Sequence, residues 1–112
     1  MTSVSAHSDK VHLAIEHLLR VPDGWRVVVR DLVQRWPDAP AAELIFTLVS
    51  AATEIEAMFA QGSPACEGAA HGWRLAALLG VDLYAMQTIG LPHAKAGDFT
   101  AYWKIDPYFA RL

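Results

Sequence analysis

The side chains best suited to catalytic chemistry are a single cysteine, Cys66, and a histidine five residues later, His71. Cys66 stands in the first turn of a predicted helix, where the helix dipole lowers the pKa of a thiol. A cysteine nucleophile also needs a positioned base, but a spacing of five residues turns the two side chains about 140° apart around a helix. We therefore expect a buried, unreactive thiol. A small enzyme or ligand-binding protein with a crevice near His71 and Cys66 is kept as an alternative.

The histidines and carboxylates do not form a recognisable metal or acid–base pattern. His12 and Glu16 lie one helical turn apart with His17 adjacent, whereas a closed zinc site needs four ligands. Glu54 and Glu56 are two residues apart and project from different sides of a helix. No glycine-rich phosphate loop follows a predicted strand. We expect no metal, no cofactor and no catalytic residue, so the sequence favours a non-catalytic protein.

The other helices are expected to pack around a long apolar helix between Pro40 and Gln61. Its apolar residues recur at the helical period. They are Leu44, Ile45, Leu48, Ala51, Ala52, Ile55, Met58 and Phe59. A stripe this wide must be covered by neighbours on several sides. We predict an all-α single domain of four to five helices packed around this central helix (about 40–61), with Ile55 fully buried.

Amphipathic patterns on both sides of the central helix predict its neighbours in the fold. They give helices over about 8–20, 25–35, 64–79 and 83–89. Gly80 is expected to end the fourth helix and Asp82 to cap the fifth. Small residues of the fourth helix, such as Gly72 and Ala76, are predicted to face the central helix.

The division of the chain follows from these patterns. Residues 1–7 are expected to be a disordered lead, residues 8–97 a helical domain, and residues 98–112 an aromatic C-terminal arm.

The composition and charge of the chain argue against several classes of partner and cellular location. The formal net charge is −3 with a pI near 5.9, which does not favour nucleic acid or an anionic membrane as the main partner. The uncharged run from Leu44 to Thr53 is far shorter than the roughly 20 residues of a membrane span. One cysteine excludes an intrachain disulfide, and Met1 to Lys10 lacks an apolar signal core. We expect a cytoplasmic protein.

Residues 72–89 contain a local pattern of apolar and small residues around Gly80. The pattern consists of Leu75, Ala76, Leu79, Gly80, Val81, Met86 and Ile89. It resembles the helix-turn-helix DNA-binding motif over about 18 residues. The resemblance implies DNA contacts from Arg74, Tyr84, Gln87 and Thr88. Residues 82–89 carry no cation for phosphate, so DNA binding by a transcriptional regulator-like protein is an alternative hypothesis.

The C-terminal arm holds five of the 11 aromatic residues of the chain. They are Phe99, Tyr102, Trp103, Tyr108 and Phe109. Rings that each bury about 150–250 Å² must dock either on the chain's own core or on a second copy. Our first functional hypothesis is a non-catalytic helical interaction or oligomerisation module. We predict a homodimer whose interface includes Trp103, Tyr108 and Phe109, with Phe99 and Tyr102 as further candidates.

Overall fold

A computed structural model describes residues 2–112, with side chains from His7 onward, and these residues form helices and no β-strand. Six α-helices and one short 3₁₀ turn make up the fold. They are α1 (Thr2–Leu19), α2 (Trp25–Arg35), α3 (Ala41–Met58), α4 (Ala65–Thr88), the 3₁₀ turn Ala96–Asp98, α5 (Phe99–Tyr102) and α6 (Tyr108–Arg111). The predicted all-α class is confirmed.

The central helix pairs with α4 in the most extensive helix contact of the molecule. Leu44, Leu48 and Ile55 are fully buried, as the apolar stripe predicts. The two helices run antiparallel, because Gly72 lies against Ala52 while Gly80 lies near Ile45. Glycine at position 72 allows the two helices to approach closely, because a Cβ atom there would lie 3.2 Å from the Cβ atom of Ala52.

Helix α1 covers one side of the groove between α3 and α4. A Cβ atom on Gly68 would meet the carbonyl oxygen of Leu18, and one on Gly72 would meet the Leu18 side chain at 3.0 Å. The small-residue strip of α4 therefore faces α1 as well as α3. Helix α2 packs beside α1, with Val28 and Leu32 buried in the same core.

The N-terminal prediction was wrong in its boundary. Helix α1 begins at Thr2, so residues 2–7, which were expected to be a disordered lead, are helical; Met1 lies outside the described residues. The polar sequence of residues 2–9 obscured this, since no apolar stripe begins before Val11.

The predicted break at Gly80 was also wrong, because α4 continues without interruption to Thr88. Leu79 and Met86 are both fully buried, so the core-facing period continues through the glycine. Asp82 is a buried mid-helix residue and not a cap. The geometry that would make residues 72–89 a helix-turn-helix is therefore not formed. The glycine stop lies at Gly90, where φ is +78°.

The C-terminal arm docks on its own chain. The amide of Ala41 donates to the carbonyl of Ala94 at 2.9 Å, and Ala96 donates to Ala39 at 2.8 Å, which fixes the loop beside the start of α3. Trp103 then stacks between Phe99 and Phe109, with ring centroids 6.4 and 5.8 Å away.

The molecule is flat, with principal-axis extents of 43 × 34 × 19 Å. Since α1 covers one side of the α3–α4 pair, the opposite side is left uncovered. No helix within residues 2–112 has the length and apolar content that a membrane crossing requires.

Candidate interaction surface

The uncovered side of α3 and α4 is apolar, and we call it the open face. It is formed by Ile45 and Val49 of α3 and by Trp73, Ala77, Val81 and Tyr84 of α4. Several of these side chains are strongly exposed for their size: Tyr84 is 71% exposed, Val81 63% and Trp73 39%. Continuous exposed apolar surfaces on small domains are typical of interaction sites.

The open face follows from the spacing of residues along α4. Ala70, Trp73, Ala77, Gly80 and Tyr84 recur at alternating intervals of three and four residues, which places them on one line along the helix. The core-facing residues form a separate line that includes Leu75, Leu79 and Met86. Helix α4 therefore has two apolar stripes, and only one of them is buried by the chain itself.

Trp73 is held in place by a hydrogen bond across the α3–α4 pair. Its indole Nε1 donates to Glu56 Oε2 at 3.1 Å. The bond fixes an exposed aromatic ring that would otherwise lose rotational freedom on binding. Such fixed aromatic side chains are the usual anchors of protein interfaces.

A cavity of about 430 Å³ lies at one end of the open face, where α3 ends and α4 begins. Glu56, Phe59, Gln61 and Cys66 line it, and we call it the Cys66 pocket. Cys66 is half-buried, and its thiol donates to the carbonyl of Ala60 at 3.4 Å. The walls combine an aromatic ring, a thiol, an amide and one carboxylate.

The ion pairs of the molecule lie elsewhere and tie helices together. The ammonium of Lys10 is buried, lies 3.3 Å from Glu43 Oε2 and sits 5.3 Å from the centre of the Trp36 ring. His7 Nδ1 lies 3.1 Å from the same carboxylate oxygen. These contacts join α1 to α3 and to Trp36, the residue that follows α2. Lys10, His7 and Glu43 thus have partners within the chain.

Asp31 connects α1 and α2 in a similar way. Its carboxylate lies 2.8 Å from His17 Nε2 and 3.0 Å from Arg35 Nε. Burial raises the pKa of Asp31, but the hydrogen bonds from His17 and Arg35 outweigh this effect and hold the pKa below its usual value. The group is a structural ion pair.

The pKa of the Asp82 carboxyl group is raised. Burial is the main cause, the negative charge of Asp106 adds to it, and the indole N–H of Trp103 opposes it in part; the resulting pKa is about 6. Asp82 Oδ2 and Trp103 Nε1 are both buried without a hydrogen bond of good geometry among the described residues. The contact joins α4 to the aromatic arm.

The residues of the enzyme alternative are not brought together. His71 stacks on Trp25 with ring centroids 4.5 Å apart and planes 8° apart, while Cys66 points into its own pocket. His12 and Glu16 are exposed on α1, and no group of three potential metal ligands occurs in the part of the chain that the structure describes.

The residues of the DNA-binding alternative all project from one continuous helix. Arg74 and Gln87 are exposed, and the Thr88 hydroxyl donates to the carbonyl of Tyr84 at 2.9 Å. Arg74 is the single lysine or arginine of α4. A row of cations that would match a phosphate backbone is therefore not formed on this helix.

The aromatic candidates for an interface are mostly occupied within the protomer. Phe99, Tyr102, Trp103 and Phe109 are buried in the chain's own core, and only Tyr108 is exposed. A dimer that used the four buried rings would require the arm to leave this core. The arm thus docks in cis, which was one of the two arrangements that the sequence left open.

Sequence reasoning missed the open face because it expected neighbouring helices to cover the apolar stripe of α3 on several sides. The alternating intervals of three and four residues from Ala70 to Tyr84 are the signal that would have revealed a second stripe.

Comparison of the chain with protein-family models, with curated proteins and with solved structures finds no match of any of the three kinds.

Proposed function

We propose that this chain is a non-catalytic self-association module, and that a second copy covers the open face of α3 and α4. The observation that carries the proposal is the exposure of Trp73, Val81 and Tyr84 on one side of a flat molecule. The free energy of the system falls when a partner removes the exposed apolar side chains of a continuous face from water.

The size of the open face suits a stable dimer. A 24-residue helix is about 36 Å long, and a pair of helices is about 20 Å wide. These dimensions give on the order of 700 Å² per protomer, close to the roughly 800 Å² that each partner contributes to a standard interface. Aromatic residues at the centre of such a face are typical of interface cores.

The charge distribution supports a partner with the same surface. Glu56 lies between the apolar residues of the open face and is hydrogen-bonded to Trp73, and Arg74, seven residues before Val81 on α4, lies at the edge of this face. Glu43 pairs with residues of α1, away from this side. Two copies of the open face therefore meet without juxtaposing rows of like charge, which would oppose association.

The test is sedimentation velocity of the full chain over a concentration series, with Tyr84→Glu as the disrupting variant. Tyr84 is exposed in the protomer, so glutamate there is expected to leave the fold intact and to place a charge within the interface. We expect the unaltered chain to sediment as a dimer at about 100 µM and the variant to remain monomeric, a weakening of at least tenfold in Kd.

Val27→Glu is the matched control, because Val27 is an exposed valine on α2, away from the open face. It is expected to dimerise like the unaltered chain. Circular dichroism melts of both variants separate lost association from lost folding. An unaltered chain that sediments as a monomer throughout the series would contradict the proposal.

A further inference from the structure

We propose that the two copies pair antiparallel and that Tyr84 of each copy enters the Cys66 pocket of the other. This inference rests on the proposed self-association and specifies which residues meet. Its components are an exposed aromatic side chain at one end of the open face and a cavity at the other end.

The knob and the pocket lie on the same line along α4. Tyr84 follows Cys66 by 18 residues, which is about five turns of an α-helix, so both side chains project to the same side. The distance between the two positions is about 27 Å along the helix axis. Tyr84 therefore cannot reach the Cys66 pocket of its own chain.

The chemistry of the pocket fits a phenol. Phe59 and Cys66 provide apolar wall for a ring, and the cavity of about 430 Å³ is large enough for one aromatic side chain. Glu56 Oε2 accepts the Trp73 indole N–H, while Glu56 Oε1 has no hydrogen-bonding partner among the described residues. A group that enters here should thus have an apolar body and a terminal donor, as tyrosine does.

A two-fold axis makes both contacts at once. In an isologous dimer the contact of one residue with another is repeated in reverse, so antiparallel α4 helices place each Tyr84 at the partner's Cys66 pocket. The axis then passes near position 75, and Trp73 meets the partner's Ala77, a large side chain against a small one. The two Arg74 side chains lie on one exposed edge, where solvent and salt screen their repulsion.

The experiment is disulfide trapping with Tyr84→Cys in the full chain, which retains Cys66. Mild oxidation is followed by non-reducing electrophoresis and by peptide mass spectrometry of the linked positions. A disulfide requires Cα atoms about 4.4–6.8 Å apart, so a bond between positions 66 and 84 must join two chains. We expect a covalent dimer in which position 66 of each copy is linked to position 84 of the other.

Two control variants define the background of this experiment. Tyr84→Cys combined with Cys66→Ser is expected to lose the covalent dimer, and Val27→Cys, which has an exposed position on α2, is expected not to form a bond to Cys66. Bonds that join position 84 only to position 84, or the absence of a covalent dimer, would overturn the antiparallel insertion.

Because the cysteine variant removes the tyrosine ring, a second measurement uses the unaltered protein. Maleimide labelling of Cys66 is compared at low and high protein concentration, with light scattering on the same samples. We expect labelling to slow at least fivefold as the dimer forms, and to remain fast in Tyr84→Ala. A dimer whose Cys66 labels at the monomer's rate contradicts the insertion alone, whereas a monomer at every concentration contradicts the proposed function itself.

Discussion

At the scale of single residues, Asp82 shows most clearly what sequence patterns leave undetermined. Its position after Gly80 predicts a helix cap, which would be exposed and ionised. In the fold it is only 7% exposed and lies beside Trp103 and Asp106 of the arm. The sequence does not specify this environment, because it arises only when residues 98–109 fold back onto α4. Ile55, by contrast, is fully buried as predicted, since its burial follows from the local period alone.

The raised pKa of Asp82 makes the stability of the fold depend on pH. An unfolded aspartate has a pKa near 3.8, and the folded value is about 6, so the folded state binds the proton more tightly. The stabilisation from this proton is fully present below pH 3.8 and is lost as pH rises through 6. Asp82→Asn stays uncharged, so we expect its stability relative to the unaltered chain to rise between pH 4 and pH 7 by up to about 3 kcal/mol.

Urea unfolding of both proteins at several pH values measures this difference. Asp106→Asn is a useful companion, because it removes the nearby negative charge while leaving Asp82 in place. It is expected to produce a smaller change of the same sign. A stability difference between Asp82→Asn and the unaltered chain that stays constant from pH 4 to pH 7 would show that Asp82 is not perturbed.

At the scale of elements, periodicity located the long helices and turn chemistry misplaced one boundary. Helix α2 has the predicted bounds, Trp25–Arg35, and α3 differs from its prediction only at the ends. Gly80 was misread because a glycine with an aspartate two residues later suits a helix stop, although glycine can also occur inside a continuous helix. Tertiary packing keeps the helix continuous here, since Leu79, which precedes Gly80, and Met86, which follows it, are both buried in the core. Gly90, with its positive φ, is the true stop.

The continuity of α4 gives a prediction at Gly80. A Cβ atom there would meet only the Ile45 side chain, at an ordinary distance of 3.8 Å. Since alanine is favoured over glycine inside a helix by about 1 kcal/mol, we expect Gly80→Ala to stabilise the protein by up to that amount in thermal or urea unfolding. Gly90→Ala is the contrasting variant, because φ is +78° there, and it should destabilise. Destabilisation by Gly80→Ala would indicate a turn at that position.

At the scale of the whole molecule, the distribution of apolar surface is the feature on which the proposed function rests. The arm covers one part of the core, α1 covers one side of the α3–α4 pair, and the other side stays open in a molecule 19 Å thick. The all-helical class was predictable because it depends on local periods. The open face was not identified, because whether an apolar residue is covered depends on where every other helix lies.

The measurement that tests our central claim most directly is hydroxyl-radical footprinting of the unaltered chain at about 0.1 µM and 100 µM, on either side of a micromolar Kd. Ile105 serves as an internal reference, because it is 63% exposed and lies on the arm. If a second copy covers the open face, oxidation of Tyr84 and Trp73 relative to Ile105 falls severalfold at the higher concentration. Relative oxidation that is unchanged across this range would contradict the claim that the open face is an interface.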